Sequence, residues 1–110
     1  SWGHQNWHSW VADEHDACRK RVAIFDMSSF AKLLLKGTGA RDALELLIAN
    51  EPPSTPGATV YTAMLNERGG YESDFTVTML DANEYMIVTG SADQAASVAA
   101  RLTSLSGSRD

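Results

Sequence analysis

The chain has 110 residues, 44% hydrophobic and 21% charged, with a formal net charge of −5 at pH 7. That length suits one domain with a modest core, and the acidic balance argues against nucleic acid or an anionic membrane surface as a partner. No apolar run approaches the roughly 20 residues of a membrane span, no signal-peptide pattern opens the sequence, and the lone Cys18 excludes an internal disulfide framework. A reducing compartment is expected, a bacterial cytoplasm or a mitochondrial matrix. The opening Ser1, in place of a methionine, suggests a processed piece or a fragment.

Ser1 to Asn6 is polar and unpatterned. From there Trp7, Trp10, Val11, His15, Cys18 and Val22 recur mostly three or four apart, which predicts a helix. Asp13, Glu14 and Asp16 precede Arg19, Lys20 and Arg21, a polarity that complements the helix macrodipole. His4 and His8 lie one helical turn apart, but no acidic or cysteine ligand joins them at a recognisable spacing, so a frayed segment is preferred to a metal site. Val22 to Asp26 reads as a short strand and Lys32 to Lys36 as a second. Asp26, beside Ser28 and Ser29, is expected to cap local backbone N–H groups rather than to do chemistry. Gly37-Thr38-Gly39 breaks the chain without extending to G-x-G-x-x-G, since residue 42 is Asp, and a dinucleotide loop is rejected. Ala40, Ala43, Leu44, Leu47 and Ile48 then form a helical stripe, which Pro52, Pro53 and Pro56 end.

Val60 to Leu80 reads as two strands folded back on each other around Arg68-Gly69-Gly70, because a tight turn wants positive φ and glycine supplies it cheaply. Beyond the turn Tyr71, Phe75, Val77 and Met79 alternate with Glu72, Asp74, Thr76 and Thr78. The odd set is predicted to face the core and the even set the opposite side. Alternation alone would make Asp74 a solvent-facing strand carboxylate. Asp81-Ala82-Asn83 makes another turn, Tyr85 to Thr89 another strand, and a helix from Ala92 can bury Ala95, Ala96, Val98, Ala99 and Leu102 before a polar tail from Ser104 to Asp110. The fold expected is α+β, an antiparallel sheet with two helices packed on it in a ferredoxin-like layer.

Four segments in register carry a resemblance: Glu14-His15 with Arg19, AIFDMSSFAK (Ala23 to Lys32), NERGGYESDFTV (Asn66 to Val77) and EYMIVTG (Glu84 to Gly90). Together they resemble the folate-binding domain of the aminomethyltransferase (glycine-cleavage T-protein) family. The version fused behind the flavin domain of dimethylglycine and sarcosine dehydrogenases is the nearest. The likeness runs from about Trp7 to about Leu105, so residues 1–110 are taken as one domain, the N-terminal part of that longer folate-binding unit.

The resemblance implies tetrahydrofolate as the cofactor and Asp74 as the family aspartate beside its reacting amines, with Tyr61 and Val88 at two further contact positions. The chemistry implied joins a one-carbon unit to folate to give 5,10-methylenetetrahydrofolate. A carboxylate suits that task because it can hold the attacking amine and stabilise the cation that develops beside it. Glu72, about 7 Å along the strand at about 3.3 Å of rise per residue, is read as solvated. The family's later pocket-closing segments have no counterpart after Leu105, and its FAD-binding domain is absent. The chain alone is therefore expected to oxidise no amine, to bind folate weakly, and to cover its open face as a homodimer. The other function considered is a non-catalytic α+β interaction module that has lost folate.

Overall fold

The computed structural model describes residues 3–107. Seven elements follow in chain order: α1 (His8–Lys20), β1 (Ala31–Lys36), α2 (Ala40–Leu47), β2 (Thr59–Leu65), β3 (Tyr71–Asp81), β4 (Glu84–Thr89) and α3 (Ala92–Gly107). The strands form one antiparallel sheet in the order β1-β4-β3-β2. Three consecutive strands thus meander, and β1 closes on the free side of β4. The architecture is the expected α+β layer.

Because β1 and β2 occupy opposite edges, the connection through α2 must cross the whole sheet. Its stripe of Ala40, Leu44 and Leu47 is buried in that crossing. Val98 of α3 completes the layer over Phe75, Val77, Tyr85 and Ile87. Burying such side chains, each contributing about 1.5–3 kcal/mol, is what holds helices and sheet together. All of this core lies on one face of the sheet. The other face carries Asp74 and, among the described residues, is flanked there by Met27 and Phe30 of the loop before β1.

The expected hairpin is present, and its turn is built by Asn66. The Asn66 carbonyl accepts from Gly69 N at 2.9 Å, and its side-chain Oδ1 accepts from the backbone N–H groups of Arg68 and Gly70, each at 2.9 Å. The positive φ falls on Gly69, at +78°, and not on Gly70.

The structure corrects four expectations. Val22 to Asp26 is not a strand: it runs on from α1 without regular structure, Ile24 is 96% exposed, and nothing in the described chain pairs with it. Tyr71 does not face the core and is 75% exposed. The register explains why, since Met64 pairs with Ser73 and Leu65 with Tyr71, which leaves Glu72 as an extra residue. One inserted residue reverses the alternation, so Tyr71 changes sides. For the same reason Glu72 does not share a face with Asp74; it lines a separate cleft at the hairpin tip with Arg68 and Arg101. Finally, the segment read as a polar tail continues α3 to Gly107, because Leu105 extends the Val98–Leu102 stripe and packs against the core. Residues 108–110 of that segment, like Ser1 and Trp2, lie outside the described residues.

Candidate functional site

The sheet register alone brings Asp74, Tyr61 and Val88 together. Tyr61 pairs with Thr76 across β2 and β3, and Thr76 pairs with Val88 across β3 and β4. Asp74 is two residues from Thr76 on the same strand, hence on the same face. Tyr61 and Val88 are therefore its diagonal neighbours on either side, about 7–8 Å away backbone to backbone and within reach of a long side chain. The Tyr61 hydroxyl closes that gap and donates a hydrogen bond to Asp74 Oδ2. The bond holds the Tyr61 phenol above its ordinary pKa, first because the neutral hydroxyl is the donor and then through burial and the carboxylate's charge.

These three residues line one cleft of about 300 Å³, walled also by Met27, Phe30 and Thr76. Met27 and Phe30 come from the loop that precedes β1, which two local devices hold in place. Asp26 Oδ1 accepts from Ser28 N at 2.9 Å, and Lys32 Nζ donates to the Ser28 carbonyl at 2.9 Å. Hydrogen bonds from the Ser28 side chain and backbone keep the Asp26 carboxyl below its usual pKa. Asp26 is thus a loop-capping residue, as its serine neighbours suggested.

On the far side of β3 the Thr89 hydroxyl lies 3.0 Å from the Asp74 carbonyl oxygen and 2.8 Å from the Gln94 side chain. Sequence reading missed both residues. A local signal existed: Ser91 and Gln94 have the S-x-x-Q spacing of a helix-capping pair, and Gln94 N does bond to Ser91 Oγ at 3.2 Å. The glutamine side chain, however, turns to Thr89. Among the described residues no three His, Cys, Asp or Glu side chains gather to hold a metal ion. His4 and His8 have ring centroids 5.5 Å apart. No helix among the described residues is long and apolar enough to cross a membrane.

The family model for the GCVT N-terminal domain matches residues 2–105. The chain belongs to the GCVT N-terminal domain family. Mitochondrial sarcosine dehydrogenase from Homo sapiens is 49% identical over 73 residues, 66% of this chain and 8% of that protein. The 4-methylaminobutanoate oxidase (formaldehyde-forming) of Paenarthrobacter nicotinovorans is 37% identical over 94 residues, 86% of this chain and 11% of the oxidase. The aminomethyltransferase of Alcanivorax borkumensis is 40% identical over 81 residues, 73% of this chain and 22% of the enzyme. The chain thus spans between 8% and 22% of the length of these three relatives. The sequence resemblance to aminomethyltransferases and sarcosine dehydrogenases stands, as a match to part of each.

Proposed function

We propose that this chain is part of a tetrahydrofolate-dependent one-carbon transfer unit, with Asp74 as its reacting carboxylate and Tyr61 and Val88 as folate contacts. The observation that carries the reading is the convergence of these three positions, drawn from three strands, on one cleft beside a single carboxylate. The relatives' names fit it: one is an aminomethyltransferase, and another a formaldehyde-forming 4-methylaminobutanoate oxidase.

The cleft suits a flat ring. Val88, Met27 and Phe30 offer apolar walls, while Asp74, Thr76 and Tyr61 offer polar groups. Its volume of about 300 Å³ lies at the bottom of the range for small-molecule sites, about 300–1,000 Å³. It accommodates one end of a folate rather than the whole molecule.

Tetrahydrofolate, when bound, would supply the nucleophilic amines, and joining a formaldehyde-level carbon to them would release its oxygen as water. Asp74 accepts an N–H from the attacking amine and sets negative charge beside the nitrogen that becomes cationic. Tyr61 donates to the same carboxylate and so fixes its orientation.

In this reading a flavin-dependent amine dehydrogenase domain, carrying FAD, is the partner that generates the one-carbon unit. The compartment is a cytoplasm or, in a eukaryote, the mitochondrial matrix; three relatives are named as mitochondrial. The 110-residue piece alone is expected to bind folate at millimolar strength or weaker, near −4 kcal/mol, since its cleft of about 300 Å³ takes one end of the ligand and offsets little of the cost of immobilising the whole.

The test is Asp74→Ala in the sarcosine dehydrogenase-like protein of which this chain is proposed to be a part. Methylene transfer to tetrahydrofolate falls about 10²–10⁴-fold, while amine oxidation upstream is unchanged. Normal transfer by that variant removes Asp74 from the mechanism.

A further inference from the structure

We propose that Thr89, oriented by Gln94, is the positioning residue that holds Asp74 in the cleft, acting through the Asp74 backbone. The inference rests on the functional reading of Asp74 for its meaning, but its geometry is independent of folate. The β3–β4 ladder ends at the Phe75–Thr89 pair. After Gly90 the chain turns away into α3, so at Asp74 strand β3 keeps a neighbour only on the β2 side, where Asp74 pairs with Ala63.

A strand end of that kind frays, because a half-buried carbonyl without a donor carries its desolvation penalty uncompensated. Here the Thr89 side chain replaces the missing ladder bond, its Oγ1 3.0 Å from the Asp74 carbonyl oxygen. Thr89 is itself buried, as is Ser73, whose hydroxyl lies 3.4 Å from it. The Gln94 amide, 2.8 Å away, completes the group. A hydroxyl has one proton to give. The structure gives that proton two acceptors, the Asp74 carbonyl and Gln94 Oε1; a half-turn of the Gln94 amide places its NH2 group on Thr89 Oγ1 and leaves the proton to the Asp74 carbonyl.

The consequence is directional. The Asp74 side chain points into the cleft while its carbonyl is fixed from the opposite side, by a group anchored on the first turn of α3. A carboxylate that must meet an amine at hydrogen-bond distance is sensitive to shifts of about 1 Å, which cost as much as 10²-fold in rate. Thr89 and Gly90 also line the cleft, but the Thr89 hydroxyl is engaged with the Asp74 carbonyl and Gln94, and it removes that freedom from the backbone side.

The experiment reads Tyr61, whose titration reports its distance from the Asp74 carboxylate. The 110-residue chain is labelled with 13C-tyrosine, Tyr61 is assigned with Tyr61→Phe, and its phenol is titrated in Thr89→Val and Thr89→Ser. The expected result is that Tyr61 returns toward the ordinary value in the valine variant and stays raised in the serine variant, which keeps the hydroxyl. Should the valine variant fail to fold, Gln94→Met removes the orienting partner from outside the strand and is expected to shift Tyr61 the same way. A Tyr61 titration unchanged in Thr89→Val, or in Gln94→Met where that stands in, overturns the inference; so does one shifted equally in valine and serine variants. In the longer protein, Thr89→Val is then expected to lower kcat for transfer to tetrahydrofolate about tenfold or more with rescue by serine. A shifted Tyr61 with unchanged transfer upholds the positioning by Thr89 and instead sinks the reading of Asp74 as the reacting carboxylate.

Discussion

Gly69→Ala isolates the backbone conformation on which the hairpin, and with it the site, depends. Gly69 sits at φ +78° with nothing within 4 Å of the place an added Cβ would occupy. The substitution therefore clashes with no neighbour and costs only the left-handed backbone, about 1–2 kcal/mol. For a domain of this size that corresponds to a fall of about 4–8 °C in Tm. Asparagine tolerates the left-handed region better than alanine, so Gly69→Asn should lose less. Gly70→Ala differs in kind: its Cβ would stand 3.0 Å from Asn66 Nδ2, so the side chain that caps the turn must yield. Thermal unfolding followed by circular dichroism compares the three. A Gly69→Ala protein that melts with the wild type, or a Gly69→Asn protein that melts below the alanine variant, would refute the assignment of strain to this residue.

Two further outcomes follow from the exposed groups. Tyr61 has a raised pKa in the fold because its neutral hydroxyl donates to Asp74; the fold favours the protonated form, so this stabilisation is complete below about pH 10 and is lost as pH rises through the folded value. Urea unfolding between about pH 9 and 11 should show that loss, and Tyr61→Phe should remove it; an identical alkaline decline in the phenylalanine variant would show that the bond contributes nothing. The exposed run of Val22, Ile24 and Phe25 should drive self-association of the isolated chain, seen by light scattering as a dimer at high concentration. A clean monomer there would mean that this surface is tolerated in water.

Much of the fold was legible because its elements carry their own periodicity. The Ala40–Leu47 stripe, the alternation from Ser73 to Met79 and the glycine-bearing turn each state a structure locally, and each formed. The errors fell where a distant partner decides. Val22 to Asp26 has the composition of a strand, yet a strand exists only when another pairs with it, and no described strand does. Glu72 has the spacing of a neighbour to Asp74, but a bulge set by the pairing with Met64 and Leu65 moved it. The site was legible only in part for the same reason. Asp74, Tyr61 and Val88 came from family resemblance, and the register explains their meeting. Thr89 was invisible because its role depends on where the β4 ladder stops, a property of two strands that neither sequence declares.

The most direct test of the functional account is a calorimetric titration of tetrahydrofolate into the longer protein, in wild-type form and as Asp74→Asn and Glu72→Gln. Both substitutions remove one carboxylate charge, and only the first lies in the cleft with Tyr61 and Val88. Losing a charge-assisted hydrogen bond to the ligand should raise Kd about ten- to a hundredfold in Asp74→Asn, while Glu72→Gln binds as the wild type does. Equal affinity in all three proteins would contradict the assignment of this cleft to folate and leave the α+β domain as an interaction module.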